Sequence, residues 1–273
     1  MSTDVLTVDL NDAVLVPKTN HTSKGDQPKW QVGDRWYKAD HMGYEALAEV
    51  VISSLLKKSN VTDFVDYALA AITYRDKTLC GCVSRNFRGE DEELIPVERL
   101  HRLYYGVGLA QTLAQTHTVE ERILYTVDFV EKITKMTNFR QYLVMMLELD
   151  QLFLNEDRHT NNIAVIRNKK TGEFRLCPIF DNGLSLLSDI NDYGMERDIY
   201  HCIERVQAKP FASNFDEQVE AANSIFGSFL KCSFSRSDVS ASLDGLSTLY
   251  RPETLQRVES IIFEQMRRYP IYF

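Results

Sequence analysis

Asn155-Glu-Asp-Arg-His-Thr-Asn-Asn162 and, a hairpin's length further on, Ile179-Phe-Asp-Asn-Gly183 constrain this chain more than any other feature. Together they set two carboxylates and an amide at spacings few folds can use. The run Gln141 to Phe153 is apolar at helical spacing, so Asp157 is predicted where a buried helix opens into a loop. Asn162-Ile-Ala-Val-Ile-Arg167 reads as a strand, Asn168-Lys-Lys-Thr-Gly172 as a turn, and Glu173 to Phe180 as the returning strand. A hairpin brings its ends together, which would let Asn162 and Asp181 hold one magnesium ion through hard oxygen ligands. Asp157, five residues before Asn162, would then take the proton of an attacking hydroxyl, as phosphoryl transfer requires.

Two further segments bear on this reading. Thr22-Ser-Lys-Gly-Asp-Gln-Pro-Lys29 is a glycine-containing polar stretch, and Cys82-Val-Ser-Arg-Asn-Phe87 runs from an apolar strand into a charged loop. With the N-x-D-R-H-x-x-N loop and the later D-x-G motif, they resemble the HipA-type serine/threonine kinases and, more distantly, the phosphatidylinositol kinases. The resemblance covers about Thr19 to Asp189. It implies an α+β, two-lobed protein-kinase-like fold: a β-rich lobe over residues 1–87 and a mainly helical lobe over 88–273. Only some twenty residues precede Thr22, so the chain is expected to be a shortened, kinase-core member without the extra leading domain of the full-length toxins.

The elements expected from pattern suit that frame. Residues 1–18 alternate as one or two strands, and Trp30 to Lys38 reads as a hairpin around Gly33-Asp34. Tyr67–Tyr74 and Thr78–Ser84 would complete a five-stranded lobe, and Arg88–Glu93 reads as a charged loop at the boundary. Tyr44 to Lys58 is a helix with Glu45 and Glu49 one turn apart. Beyond Val97 the periodic segments Arg99–Gln115, Glu120–Thr137, Gln141–Phe153, Phe215–Phe229 and Pro252–Arg268 are helical. Gly106-Val-Gly108 lacks the third glycine of a dinucleotide fingerprint and lies among helices, which sets that reading aside.

The resemblance carries roles residue by residue. Asp157 is the implied catalytic base, with Asn155, Arg158 and His159 positioning its loop. Asn162 and Asp181 are the implied magnesium ligands. Lys38 would engage the phosphates of ATP, paired with Glu49, Glu45 being the alternative. Ser23, Lys24, Gly25, Asp26 and Gln27 would cover the nucleotide, and Ser84, Arg85 and Asn86 would form the adenine-contacting hinge. Thr22 or Ser23 would accept an autophosphorylation that repels ATP. The implied activity is ATP-dependent phosphorylation of a protein serine or threonine. A lipid kinase or a catalytically silent kinase-fold binding module are the alternatives, and an antitoxin-like partner is an option the sequence leaves open.

Composition narrows the classes. A net charge of −8 and the lack of a polybasic block argue against nucleic-acid or anionic-membrane surfaces. Neither a secretory signal nor a run of eighteen apolar residues is found, so the expected location is the cytoplasm. The five cysteines are scattered without C-x-x-C, which fits reduced thiols. Asp157-x-His159 as a metal pair has only His201-Cys202 as further ligands, in an expected helix, and is set aside.

Overall fold

The structure is a computed structural model describing residues 5–16 and 27–273. In chain order its strands and helices are β1 (Leu6–Asp9), β2 (Lys29–Val32), β3 (Arg35–Ala39), α1 (Glu45–Leu56), β4 (Ala68–Tyr74), β5 (Lys77–Arg85), β6 (Glu92–Pro96), α2 (Val97–Tyr105), α3 (Leu109–Leu113), α4 (Val119–Thr134), α5 (Phe139–Phe153), β7 (Ala164–Asn168), β8 (Phe174–Leu176), α6 (Ile199–Arg205), α7 (Phe215–Phe226), α8 (Arg236–Leu243) and α9 (Pro252–Arg268). They form two compact units. The first comprises residues 1–86, 180–206 and 231–273, and the second residues 87–179 and 207–230. A β-sheet lobe and a helical lobe make this a mixed α+β fold.

The first unit is built on a five-stranded sheet of order β1-β4-β5-β3-β2. β1 pairs parallel with β4 and the remaining pairs are antiparallel. Leu10, Trp30, Tyr37, Ala39, Ala70, Ile72 and Val83 form the core of one sheet face. α1 meets β3, β4 and β5 as well as α8. All but one of its twelve residues are buried, as expected of a helix enclosed all round. The same unit holds the aromatic C-terminus, where Tyr272 is buried, its carbonyl accepts the Cys232 N–H, and Phe273 stacks edge-on against Phe234.

In the second unit α5 packs against α4 and α7, beside the three-stranded sheet β6-β7-β8. The hairpin expected after Asn162 is β7–β8, paired from Val165↔Leu176 to Arg167↔Phe174. Two expectations are corrected here. Glu92 and Glu93, expected in a charged loop, begin β6, which pairs with β7 from Glu92↔Asn168 to Pro96↔Ala164. The strand hides its charges by pairing them: Arg175 on β8 grips Glu92 with two hydrogen bonds of 2.7 Å and holds its carboxyl down at about 2. The expected single helix Arg99–Gln115 is broken in two, because Gly106 takes a left-handed φ of 79° and caps α2.

Among the described residues no helix is long and apolar enough to cross a membrane. All five cysteines are free thiols. Burial pushes the Cys82 thiol well up and, more weakly, that of Cys80.

Candidate active site

Alternation along β3 sets up the charged cluster of the first unit. Tyr37 and Ala39 face the Trp30 core, so the intervening Lys38 points to the opposite face, where α1 lies. Its ammonium sits 2.5 Å from Glu49 Oε1 and 2.7 Å from Asp181 Oδ1, with the Tyr67 hydroxyl at 3.4 Å. Burial opposes the charge on Lys38, but the carboxylates of Asp181 and Glu49 outweigh it and hold its pKa well above the usual lysine value. The same burial, with Glu49 alongside, pushes the Tyr67 phenol up, so it stays a neutral neighbour.

The two helix glutamates do different work. Glu49 is fully buried; beyond Lys38, its second oxygen accepts the Asn182 N–H at 2.9 Å. Glu45 turns back to its own loop and accepts the N–H groups of His41, Met42 and Gly43 at 2.7–3.1 Å. The segment carrying Asp181 is fitted closely against the start of α1. A Cβ on Gly183 would meet the Glu45 Cβ at 3.3 Å, and the Tyr44 hydroxyl donates to the carbonyls of Leu186 and Leu187. Asp181 itself takes a left-handed φ of 61°, a conformation aspartate tolerates better than most residues. Lys29 Nζ stands 3.9 Å from the same Asp181 oxygen.

A further polar cluster lies within the second unit. α5 ends where Leu154 adopts φ 57°, and the chain then turns through Asn155 to Asn162. Asn155 donates its amide to Asp150 and accepts the Asp157 N–H at 3.0 Å. Arg158 is committed to Asp150 through several hydrogen bonds of 3.0–3.2 Å, both side chains being only 1% exposed, and to the Asn162 carbonyl. Burial raises the Asp150 carboxyl against the opposing pull of Arg158. Asn162 Nδ2 donates to the Asp157 carbonyl at 2.8 Å and to Asp157 Oδ2 at 3.3 Å. His159 Nε2 lies 3.8 Å from that carboxylate, while its N–H donates to the Asp157 carbonyl.

Each unit holds one of the expected magnesium ligands, and each has the donor type that ion prefers. Asp181 offers a partly exposed carboxylate. Asn162 turns its amide nitrogen, which cannot ligate, toward Asp157 and leaves its oxygen as the available ligand atom. The other expected nucleotide residues divide. Thr22, Ser23, Lys24, Gly25 and Asp26 lie outside the described residues, and Gln27 is partly buried just before β2. Ser84 and Arg85 close β5, paired with Trp36 and Arg35 of β3. The Asn86 N–H donates to the Asp34 carbonyl at 2.7 Å.

Two residues at this site carried no motif signal. Asp150 sits with Glu148 in the otherwise apolar run of α5, where acidic residues read as surface positions. Lys209, whose Nζ is 3.3 Å from Asp157 Oδ1, comes from a loop 52 residues further along.

No protein-family model matches the chain, and no curated protein matches it in sequence. Among solved structures, the crystal structure of a Helicobacter pylori proinflammatory kinase, CtkA, aligns over 96% of this chain and 94% of that one. The TM-score is 0.59 at 14% sequence identity. Likeness at that identity speaks to architecture, and the architecture it gives this chain is that of a kinase.

Proposed function

We propose that the protein is an ATP-dependent phosphotransferase acting on a serine or threonine hydroxyl of a protein, of the HipA-like type. The observation that carries the reading is the buried Lys38 ammonium held by Glu49 and Asp181. A lysine fixed between a helix glutamate and a loop aspartate is how kinases set a cation against nucleotide phosphates. In this reading Asp157 accepts the acceptor's hydroxyl proton, and Asn162 holds its carboxylate in place. Asp181 and Asn162 would ligate magnesium, which when bound supplies charge neutralisation at the phosphates. Residues 23–29 would cover the nucleotide, with Thr22 or Ser23 as the site of self-modification.

The acceptor class is tested by offering γ-labelled Mg-ATP to the protein alone, with a generic basic protein, and with phosphoinositide vesicles. Label on protein serine or threonine supports the proposal. Label on lipid alone would replace it with a lipid kinase, and nucleotide binding without label anywhere would replace it with a binding module.

A further inference from the structure

The Asp157 carboxylate is gripped on both oxygens within the second unit. Asn162 Nδ2 reaches Oδ2 at 3.3 Å, and Lys209 Nζ reaches Oδ1 at 3.3 Å. An exposed lysine on a carboxylate usually contributes little, because two mobile side chains must be ordered for a weak, solvent-screened attraction. Lys209 departs from that case in how its backbone is placed. Ala208, buried, donates its N–H to the Ser213 carbonyl at 2.9 Å, closing the loop on itself. Phe211, 1% exposed, anchors the loop, and its carbonyl accepts from Arg122 of α4 at 2.6 Å. The N–H groups of Phe211 and Ala212 both donate to the buried Gln218 of α7. The side chain, 42% exposed against 11% for Asp157, is thus aimed from a fixed base.

The loop that carries Asp157 offers that carboxylate no lysine or arginine of its own, only His159 at 3.8 Å. Residues 155–162 contain no lysine. Their one arginine, Arg158, gives its guanidinium to the buried Asp150 and the Asn162 carbonyl. We infer that Lys209 is a positioning residue for Asp157: with Asn162 it fixes the carboxylate so that an incoming hydroxyl meets it in one orientation. The inference rests on the phosphotransferase reading. In the step it serves, the acceptor O–H bond breaks and its proton passes to Asp157. The acceptor oxygen bonds to the γ-phosphorus, and the bond from that phosphorus to the departing ADP oxygen breaks. Lys209 takes no part in the bonds that form and break.

The test is steady-state transfer by Lys209→Met and Lys209→Arg beside wild type and Asp181→Ala, with thermal melting of each. We expect Lys209→Met to lower kcat by about tenfold to a hundredfold. The KM for ATP should stay within about twofold and the melting temperature should not move, because the change touches the orientation of one carboxylate rather than nucleotide binding. Lys209→Arg should restore most of the rate. A Lys209→Met kcat within about twofold of wild type would overturn the inference while leaving the phosphotransferase reading intact. So would a loss that tracks a fall in melting temperature and is not rescued by arginine. No Asp181-dependent transfer by the wild type would instead overturn the reading itself, and the role of Lys209 with it.

Discussion

Glu49 binds Lys38 with one carboxylate oxygen at 2.5 Å and the backbone N–H of Asn182 with the other at 2.9 Å. One buried side chain thereby ties strand β3, helix α1 and the segment carrying Asp181. Any change that frees Glu49 loosens the lysine and the aspartate together, which makes it the point where fold and proposed chemistry meet.

Exchanging the two α1 glutamates for glutamine should separate their roles. Glu49→Gln removes the charge that steadies Lys38 and is expected to lower phosphotransfer at least about tenfold. Glu45→Gln weakens the carboxylate that collects the N–H groups of His41, Met42 and Gly43. It should cost about 1–2 kcal/mol in urea unfolding with transfer retained.

Asp150 and Arg158 form an ion pair with almost no solvent contact. Arg158→Met strands a buried carboxylate and should destabilise the protein by about 3–5 kcal/mol. Adding Asp150→Leu should recover much of that loss, because removing both partners leaves no unpaired charge. Denaturant unfolding of the single and double variants checks this.

Stability should fall as pH rises through the titration of Asp40. Burial lifts this carboxyl from 3.8 to about 7, against hydrogen bonds from the Ala46 N–H and the Tyr250 hydroxyl. Between those values the folded protein holds a proton that the unfolded chain has released, so the fold is favoured toward the acid end of the window. Urea unfolding of the wild type should lose about 2–4 kcal/mol across it, and Asp40→Asn should flatten that slope.

Asp157→Asn keeps the shape of the loop and its hydrogen bond to Asn162 while removing the base. Transfer should drop on the order of a hundredfold to ten-thousandfold with little change in melting temperature. Initial rates with saturating Mg-ATP measure it.

Much of this arrangement was legible because its residues lie close in sequence or recur at a fixed period. The apolar spacing of Gln141–Phe153 led to α5, and the turn Asn168–Gly172 led to the β7–β8 hairpin. The Gly33-Asp34 turn within Trp30–Lys38 led to the β2–β3 hairpin that carries Lys38. Charge misled the reading of Glu92 and Glu93, since the Arg175 that neutralises Glu92 is 83 residues away. α8 went unread although Ser235-Arg-Ser-Asp238 spells a capping box, because the helix is short and only weakly amphipathic. The choice between Glu45 and Glu49 could not be made from spacing, as both lie on successive turns; what separates them is the position of the Asn182 N–H, set by tertiary packing. Lys209 was invisible for the same reason, its link to Asp157 existing only once α7 and its preceding loop are folded.

The most direct measurement is γ-label transfer from Mg-ATP by the wild type beside Asp181→Ala, with product identified by phosphoamino-acid analysis. Label is expected on serine or threonine from the wild type and none from Asp181→Ala. Equal labelling by the two proteins, or no transfer by a wild type shown to bind Mg-ATP, would contradict it.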